Sequence, residues 1–514
     1  MKKILGIELG STRIKAVLVD ENANVIANGS YEWENVLVDG LWSYSLENVE
    51  CGVQTSFSNL AADYKSKFAE ELTEISSIGI SGMMHGYLAF DKDENLLVPF
   101  RTWRNTNTEK AADELTELFE FNIPMRWSVS HYYQAILNSE THVGSVSFLT
   151  TLAGYVHYKL TGKKVLGVGD ASGMFPINNN DYDNDMLCKF NTLLRQKGIN
   201  TPFEVILPKV LVAGENAGSL TAEGAKWLDP TGKLSAGCIL CPPEGDAGTG
   251  MVATNSVTPR TANVSAGTSG FLMAVLEKNL SSYYKEIDVV TTPHGAPVAM
   301  VHVNNFASEI TAWTNLFEEV IALGGTSIGR GQLFDELYAK SLEGDEDCGG
   351  LVGYNFLAGE PIVNVSKGAP MIVRASDGKL SLANFMKMQI YSALGSLAIG
   401  CEMLSKENVP IESVCGHGGF FKSPFVGQSA MSAAIGAPVT VMQTAGEGGA
   451  WGIAVLALFA YLREQNLEYF LDRIFGSAQQ STVFASEQEL KAFSAFMEKY
   501  KKGLEIERLA ADML

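Results

Sequence analysis

Positive charge is scarce in this chain of 514 residues, which has 38 lysine and arginine residues, 58 aspartate and glutamate residues, and a net charge of -20. Proteins that bind nucleic acids broadly need clustered basic side chains opposite the phosphates, so we expect no nucleic-acid partner. A small anionic ligand is compatible with this composition, because backbone N–H groups can bind phosphate without net positive charge.

Cysteine and long apolar runs are also scarce. The seven cysteines are dispersed, and the C-x-x-C spacing at Cys238 and Cys241 has no second pair to complete a zinc site. A dispersed, odd-numbered set is typical of a reducing compartment. The longest apolar run, 450–461, is too short to span a bilayer. Glu8 interrupts the first apolar run too early for a secretory signal. We therefore expect a cytoplasmic protein with no membrane partner.

The chain lacks low-complexity linkers and has no Walker phosphate loop of the form G-x-x-x-x-G-K-[ST]. Its length favours two large domains, and 46% hydrophobic with 19% charged residues indicates a sizeable core. We place the boundary near 255–260, which gives an N-terminal domain at 1–255 and a C-terminal domain at 256–514.

Short strands and tight turns open the chain and recur halfway along it. Strands predicted at 3–9, 14–20 and 25–30 form an antiparallel meander with Gly10-Ser11-Thr12 as its first turn. Segment 261–275 repeats the form strand, Gly267-Thr268-Ser269 turn, strand, and a duplication is the economical explanation. We also predict strands at 75–80, 409–416 and 439–442, a hairpin from 87–90 and 96–99, and helices at 48–67, 109–119, 147–160, 305–322, 330–341, 383–404, 424–435 and 448–463.

The two turns suggest phosphate binding. A glycine turn with hydroxyl side chains presents N–H and OH donors to one point, and two such turns from related domains can grip a polyphosphate from opposite sides. Each turn alone is also compatible with an ordinary hairpin.

Two carboxylates stand out. Asp246 follows Pro242 and Pro243 among glycines, near a predicted helix start, where it can be a helix cap or a catalytic base. Glu8 ends an otherwise apolar strand beside the Gly10 turn, where it can help to hold Mg²⁺ or be a solvated hairpin residue.

Two loops suggest a polyol site. Met83-Met84-His85-Gly86 follows a predicted buried strand, and His85 can bind a hydroxyl or be satisfied locally. In Trp103-Arg104-Asn105, the indole can pack on a sugar while Arg104 and Asn105 supply donors, although such a tryptophan is more often core. The glycine cluster 416–419 suits a flat base lying against backbone, but alone it is weak evidence.

Taken in order, these segments resemble the FGGY family of carbohydrate kinases over nearly the whole chain. Residues 6–12 and 265–269 are similar to the family's two phosphate loops, 82–86 to the sugar-site segment of xylulose kinases, and 245–248 to the segment with the catalytic aspartate. Residues 357–360 resemble the L-x-G-E segment. Residues 415–424 resemble the adenosine-site loop, with Gly418, Gly419, Lys422 and Ser423 spaced as in ribulose-kinase relatives.

The resemblance implies an α/β fold of two actin-like (ribonuclease H-like) domains, each a mixed sheet flanked by helices, with ATP, Mg²⁺ and sugar in an interdomain cleft. Asp246 would accept the proton of a sugar hydroxyl while that hydroxyl attacks the γ-phosphoryl group, and we expect the helix start to keep Asp246 ionised. Glu8 would position the metal, and Met84, His85, Trp103, Arg104 and Asn105 would bind the sugar.

Two departures from the family concern the metal and the sugar. Glu8 stands where the family usually has aspartate, and Asn105 follows the tryptophan loop where an aspartate is frequent. We expect an ATP-dependent kinase of D-xylulose or L-ribulose, with a homodimer as a candidate assembly. The alternative is a nucleotide-gated binding or assembly protein of the same superfold without kinase activity.

Overall fold

The computed structural model of the protein describes residues 1–423, 425–442, 448–476 and 480–513. The strands are β1 (Ile4–Leu9), β2 (Arg13–Val19), β3 (Val25–Glu32), β4 (Val36–Val38), β5 (Leu41–Ser43), β6 (Ser77–Gly82), β7 (Leu88–Phe90), β8 (Phe148–Thr150), β9 (Val165–Gly167), β10 (Ile177–Asn178), β11 (Asp181–Tyr182), β12 (Lys209–Leu211), β13 (Ile239–Leu240), β14 (Glu244–Gly245), β15 (Thr261–Ala266), β16 (Gly270–Val275), β17 (Ile287–Thr291), β18 (Pro297–Val303), β19 (Leu351–Tyr354), β20 (Met371–Arg374), β21 (Ser413–His417), β22 (Val439–Met442) and β23 (Gln480–Val483).

The helices are α1 (Leu46–Phe68), α2 (Glu109–Phe119), α3 (Ser128–Leu137), α4 (Leu152–Thr161), α5 (Val168–Ala171), α6 (Asn184–Gln196), α7 (Phe203–Ile206), α8 (Ala222–Leu228), α9 (Asp246–Ala253), α10 (Ser308–Leu323), α11 (Arg330–Ser341), α12 (Leu382–Lys406), α13 (Val426–Ile435), α14 (Gly448–Leu462), α15 (Leu467–Phe475) and α16 (Glu487–Met513). In the ranges described, no helix is long and apolar enough to cross a membrane.

The chain forms two compact units, and neither is continuous in sequence. The first contains Met1–Thr258, Ser282–Val298 and the segment with α14 and α15. The second contains Pro259–Ser281, the chain from Ala299 through β22, and β23 with α16. The chain first leaves the first unit after Thr258. The expected division into 1–255 and 256–514 allowed the last helices to pack back on the first domain, and the structure also assigns Ser282–Val298 to the first unit.

The core sheet of the first unit is mixed, with the order β13-β6-β1-β2-β3 and β14 also on β6. β1, β2 and β3 form the predicted antiparallel meander, and β6 runs parallel to β1. Helix α1 packs on β2 and β3, α4 packs on β6, and α14 packs on β1, β2 and β6. Helices therefore cover the sheet, and the buried aliphatic side chains of its strands form the core.

The second unit repeats this topology with the order β18-β16-β15-β21-β22-β23. β15 pairs antiparallel with β16 and parallel with β21, as β1 does with β2 and β6. In each unit, the first strand of an antiparallel hairpin thus pairs on its other side with a later, parallel strand. The shared topology supports the duplication inferred from the two glycine turns.

Local sequence explains several helix boundaries. The hydroxyls of Ser45, Thr151 and Ser381 accept backbone N–H bonds and cap α1, α4 and α12. Gly162 and Gly436 end α4 and α13 in the left-handed conformation.

Helix α14 lies almost on the backbone of β1 and β6. A Cβ atom at Gly6 would lie 2.1 Å from the Ala450 carbonyl oxygen, and one at Gly79 would lie 2.6 Å from the Ile453 carbonyl oxygen. Because both glycines lack a side chain, the helix axis comes close to the strands and every residue from Gly449 to Ala460 is buried.

Most predicted elements are present, and two predictions differ from the structure. The predicted helix at 147–160 is wrong at its start, because 148–150 form β8 and the Thr151 cap starts the helix at Leu152. The predicted hairpin of 87–90 with 96–99 is confirmed in part. Phe90 forms an antiparallel bridge with Leu96, and the Leu97 N–H donates to the Ala89 carbonyl at 2.9 Å, while β7 forms its strand ladder with β8. Pro424, the predicted first residue of α13, lies outside the described residues.

The close approach of α14 predicts a specific cost for Gly6→Ala. The new methyl group has to displace the first turn of α14, so we expect the free energy of unfolding to fall by about 1–3 kcal/mol in urea denaturation. Gly144→Ala is the matched control, since a Cβ there meets nothing within 4 Å. Equal stability of the two variants would contradict this account of the packing.

Candidate active site

Three parallel strand ends bring the candidate residues of the first unit to one edge of its sheet. Leu9 of β1 pairs with Gly82 of β6, and Gly82 pairs with Gly245 of β14. The turn at 10–12, the loop at 83–86 and Asp246 each come directly after one of these strands. They therefore lie together at the carboxyl edge, where open α/β sheets bind their ligands.

The turn at 10–12 directs its carbonyls inward. The Gly10 carbonyl accepts from the Trp33 indole at 2.7 Å, the Ser11 carbonyl from the Tyr44 hydroxyl at 2.6 Å, and the Thr12 carbonyl from the Trp33 N–H at 3.1 Å. Within the described ranges, the N–H groups and hydroxyls of Ser11 and Thr12 have no hydrogen-bond partner. The turn therefore offers donors and no free carbonyls, as an anion site requires.

Asp246 is the first residue of α9, and its two carboxylate oxygens differ. Oδ1 accepts the N–H of Met84 at 3.3 Å and that of Ala247 at 3.0 Å. Oδ2 has no partner among the residues described. Burial raises the pKa of Asp246, and the N–H bonds oppose this shift without cancelling it. We expected the helix start to dominate and favour ionisation. The net direction is opposite, and a raised pKa makes the carboxylate a better proton acceptor.

Glu8 reaches the first turn of α14. Its carboxylate accepts the Ala450 N–H at 3.1 Å, and Lys15 is its cross-strand neighbour on β2. Burial raises the pKa of Glu8, the charge of Lys15 lowers it, and the charge of Asp246 raises it again. The extra methylene that distinguishes glutamate from aspartate lets the side chain meet the helix N-terminus.

Glu8 fits a magnesium site completed by other molecules. In the part of the chain that is described, no group of three or more His, Cys, Asp or Glu side chains is placed to hold a metal ion. Magnesium is commonly held by one or two carboxylates together with substrate phosphates and water. Glu8 can supply the protein carboxylate of such a site, and the negative charge of Asp246, which raises the pKa of Glu8, is one that a cation would offset.

The loop at 83–86 places a neutral imidazole beside the catalytic candidate. His85 is buried, and its Nδ1 lies 3.2 Å from the Gly173 carbonyl oxygen, so this nitrogen carries the proton. Burial and then the Arg126 charge lower the pKa of His85 well below its ordinary value. Nε2 is then an acceptor, and it has no partner among the described residues.

The tryptophan loop divides into exposed and buried parts. Trp103 is 40% exposed. Arg104 lies 4.3 Å from the Trp42 ring centre and donates to Asn35 at 3.1 Å. Asn105 is buried, and its amide accepts from the Trp42 N–H at 2.8 Å and donates to the Trp42 carbonyl at 2.9 Å. Asn105 therefore holds the loop against β5, and only Trp103 and Arg104 offer free surface.

The second unit builds its glycine turn in the same way. The Thr268 carbonyl accepts the Phe306 N–H at 3.0 Å, and the Gly267 carbonyl accepts the Ala307 N–H at 3.2 Å. The N–H and hydroxyl groups of Thr268 and Ser269 have no partner in the described ranges. Both turns thus present donors outward.

The buried Glu360 secures the segment behind this second turn. Its carboxylate accepts the N–H of Asn304 at 3.3 Å and that of Asn305 at 3.1 Å. Burial raises the pKa of Glu360 to about 7. Glu360 belongs to the L-x-G-E segment, and it holds the chain that bonds to Gly267 and Thr268.

The candidate adenosine loop lies next to the second turn. Gly418 has φ +107, and a Cβ there would lie 2.3 Å from the Ala266 carbonyl oxygen, so only glycine fits. Gly419 and Lys422 are exposed. Ser423 is buried, and its hydroxyl donates to Asp335 at 2.6 Å. The loop therefore offers Gly418, Gly419 and Lys422 to a ligand, while Ser423 anchors it.

Sequence reasoning did not identify four polar residues near the site. Lys15 could have been found from hairpin register, since it lies opposite Glu8. Thr249 lies one helical turn after Asp246, and its hydroxyl is 2.9 Å from that of Ser81. Asp170 has a sequence signal, because Gly-Asp-Ala occurs at 169–171 as well as at 245–247. Ser81 has none.

Comparisons with known proteins agree with these features. Residues 3–232 match the N-terminal domain model of the FGGY family of carbohydrate kinases, and residues 262–461 match the C-terminal domain model. Xylulose kinase of Bacillus subtilis (strain 168) is 23% identical over 98% of this chain and 96% of its own length. Ligand-bound xylulose kinase from Lactobacillus acidophilus has a TM-score of 0.81 at 16% identity, covering 100% of both chains. Gluconate kinase from the same organism has a TM-score of 0.79 at 17% identity, covering 99% of this chain and 98% of that one. These structures show an actin-like two-domain fold.

The buried carboxyl groups predict a loss of stability in mild alkali. Burial raises the pKa of both Asp170 and Glu244 to about 8. The folded chain therefore holds protons that the unfolded chain releases, and stability falls as pH rises through about 8. From pH 7 to 9 we expect a loss of about 1–3 kcal/mol in the free energy of unfolding, measured by urea denaturation. A gain over this interval would contradict the assignment.

Proposed function

The chain belongs to the FGGY family of carbohydrate kinases and is therefore a phosphotransferase, and from this premise we propose that it transfers the γ-phosphoryl group of ATP to a hydroxyl of a ketopentose. One observation carries the proposal. Asp246 stands at the carboxyl edge of the sheet with Oδ1 fixed by two N–H groups and Oδ2 without a partner among the described residues.

Asp246 is the proposed general base. The substrate hydroxyl donates to Oδ2, and its proton passes to that oxygen as the hydroxyl oxygen bonds to the γ-phosphorus. The bond from that phosphorus to the β–γ bridging oxygen breaks, and ADP leaves. The bonds from Met84 and Ala247 keep the carboxylate oriented during the transfer. Because burial raises the pKa of Asp246, the protonated state that forms on transfer is stabilised relative to an exposed aspartate.

His85 is the proposed sugar contact. Its proton is held on Nδ1 by the Gly173 carbonyl, so Nε2 can accept a hydrogen bond from a sugar hydroxyl. Trp103 and Arg104 are the exposed residues of the neighbouring loop that can reach a polyol. The methionine–histidine loop favours D-xylulose, as do the names of the curated relatives. The Gly-Gly-x-x-Lys-Ser spacing at 418–423 favours L-ribulose.

Each unit has a proposed role toward ATP. In the second unit, donors of Thr268 and Ser269 bind phosphate oxygens, and Gly418, Gly419 and Lys422 bind the adenosine. In the first unit, Ser11 and Thr12 donate to phosphate oxygens and Glu8 would hold magnesium. The ion, when bound with the nucleotide, would offset negative charge on the phosphates. Positioning and charge stabilisation are most of what phosphoryl transfer needs from a protein.

Asp246→Asn should abolish turnover while leaving the fold intact. Without a proton acceptor we expect kcat to fall by about 10²–10⁴-fold, the usual contribution of a general base. ADP release measures the rate, and circular dichroism with thermal melting checks the fold. Asp113→Asn is the matched control, since Asp113 is exposed and pairs only with Lys285 among the described residues.

The same variant separates the two functional hypotheses. A nucleotide-gated binding or assembly protein binds nucleotide without acceleration by any sugar, and Asp246→Asn leaves its function unchanged. A folded Asp246→Asn protein with wild-type turnover would contradict the role of Asp246 as base.

Assays with a panel of candidate substrates identify which sugar the protein phosphorylates. We expect D-xylulose or L-ribulose to give the highest kcat/KM among ketopentoses, deoxyketoses, polyols and aldonates, measured as ADP release. Gluconate belongs in the panel because a gluconate kinase shares the fold. Absence of turnover on every ketopentose would exclude the proposed substrate class while leaving the kinase assignment standing.

A further inference from the structure

Asp170 and Glu244 form a buried acidic pair next to the catalytic aspartate. Asp170 is 0% exposed and Glu244 is 1% exposed. The charge of Asp246 is among the causes that raise the pKa of Asp170, and the charge of Asp170 is among those that raise the pKa of Glu244. In the chain as described, no lysine or arginine forms an ion pair with either one. Three carboxyl groups thus lie together without a compensating cation.

Hydrogen bonds distinguish the two members of the pair. The Glu244 oxygens accept the N–H of Gly169 at 3.3 Å and that of Asp170 at 2.9 Å. Asp170 Oδ2 accepts the Thr151 hydroxyl at 2.6 Å, while Oδ1 is buried without a partner in the described ranges. An unpaired buried oxyanion costs far more than an unpaired hydroxyl. Glu244 is therefore the better site for a charge, and Asp170 is the better site for a proton.

The unpaired oxygen of Asp170 lies behind the residues that hold Asp246. A Cβ at Gly245 would be 3.4 Å from Asp170 Oδ1 and 2.1 Å from Met84 Cγ. Gly245 immediately precedes Asp246, and Met84 donates its N–H to Asp246. A movement of Asp170 would therefore reach Asp246 through Gly245, against which Met84 also packs.

The elements around α5 bring no basic group to Asp170 within the described ranges. Glu244 on β14, Asp246 on α9 and Tyr182 on β11 are the titratable groups coupled to it. β17 meets α5 through Thr291, whose hydroxyl donates to the Val168 carbonyl at 3.0 Å.

The other charged side chains on the elements that pack against α5 are either paired or exposed. Asp288 on β17 pairs with Arg126, Lys209 on β12 is exposed, and β9 carries no titratable side chain.

We propose that Asp170 is a positioning residue that acts in its neutral, protonated form, filling the space behind Gly245 and Met84 without adding a negative charge beside Asp246 and the phosphoryl group. This inference rests on the proposed function, because it takes Asp246 as the base. Ionisation of Asp170 would place an uncompensated charge behind the turn and oppose the approach of an anionic nucleotide.

Asp170→Asn tests the proposal, because the amide has the shape of the acid and cannot ionise. We expect wild-type kcat/KM to be about tenfold lower at pH 9 than at pH 7, as for loss of one essential proton near pH 8. Asp170→Asn should keep the neutral-pH value within about threefold and lack this fall. Glu507→Gln is the matched control, because it neutralises another buried carboxyl group, on α16 in the second unit. It should keep the wild-type profile.

Two kinetic outcomes overturn the proposal. A folded Asp170→Asn protein that is inactive at every pH shows that the charge is needed. A profile that overlays the wild-type profile shows that another group titrates.

Infrared spectroscopy tests the protonation state without relying on turnover. In wild-type protein labelled at its aspartate carboxyl carbons, a neutral carboxyl band should be present at pH 7 and disappear above pH 8. Absence of that band at pH 7 overturns the proposal even where the variant does not fold. Should Asp246→Asn retain full turnover, the proposed role of Asp246 as the base fails, while the infrared result still decides the state of Asp170.

Discussion

The contact of α14 with β1 and β6 is the constraint on which the first unit depends. Gly6 and Gly79 let the helix backbone lie against the strands. Successive side chains of a strand point to opposite faces of the sheet, so Gly6 and Glu8 lie on the same face. Glu8 therefore meets the start of the same helix. One packing contact therefore buries a strongly apolar helix and fixes the candidate metal ligand.

Carboxyl groups concentrated at one edge are the second organising feature. Glu8, Asp170, Glu244 and Asp246 all have raised pKa values, with burial as the leading cause in each case. Such a cluster is costly unless protons, N–H groups or cations compensate it. The four groups use different means. Glu8 has Lys15 and a helix N-terminus, Glu244 and Asp246 have backbone N–H groups, and Asp170 has one hydroxyl. These differences allow chemically similar side chains to take separate roles.

The two units share one backbone device. In each, a glycine turn comes after a strand that has an antiparallel neighbour on one side and a parallel neighbour on the other. Both turns engage their carbonyls and, among the described residues, leave hydroxyls and N–H groups without partners. The units differ in the loop that leaves the parallel strand, which is the His85 loop in the first unit and the Gly418 loop in the second.

The sequence by itself determined the parts that depend on local pattern. Alternating apolar strands, glycine turns and helical spacing predicted the meander, the repeated hairpin and most helices, and the ordered motifs predicted Asp246, His85 and the two glycine turns as site residues. Tertiary structure alone decided the rest. Asn105 and Ser423 donate hydrogen bonds to Trp42 and Asp335, which are distant in sequence, and β7 likewise pairs with the distant β8. The state of Asp170 likewise depends on Glu244 and Thr151, because burial and the bonding of a carboxyl group are set by residues brought together only by folding.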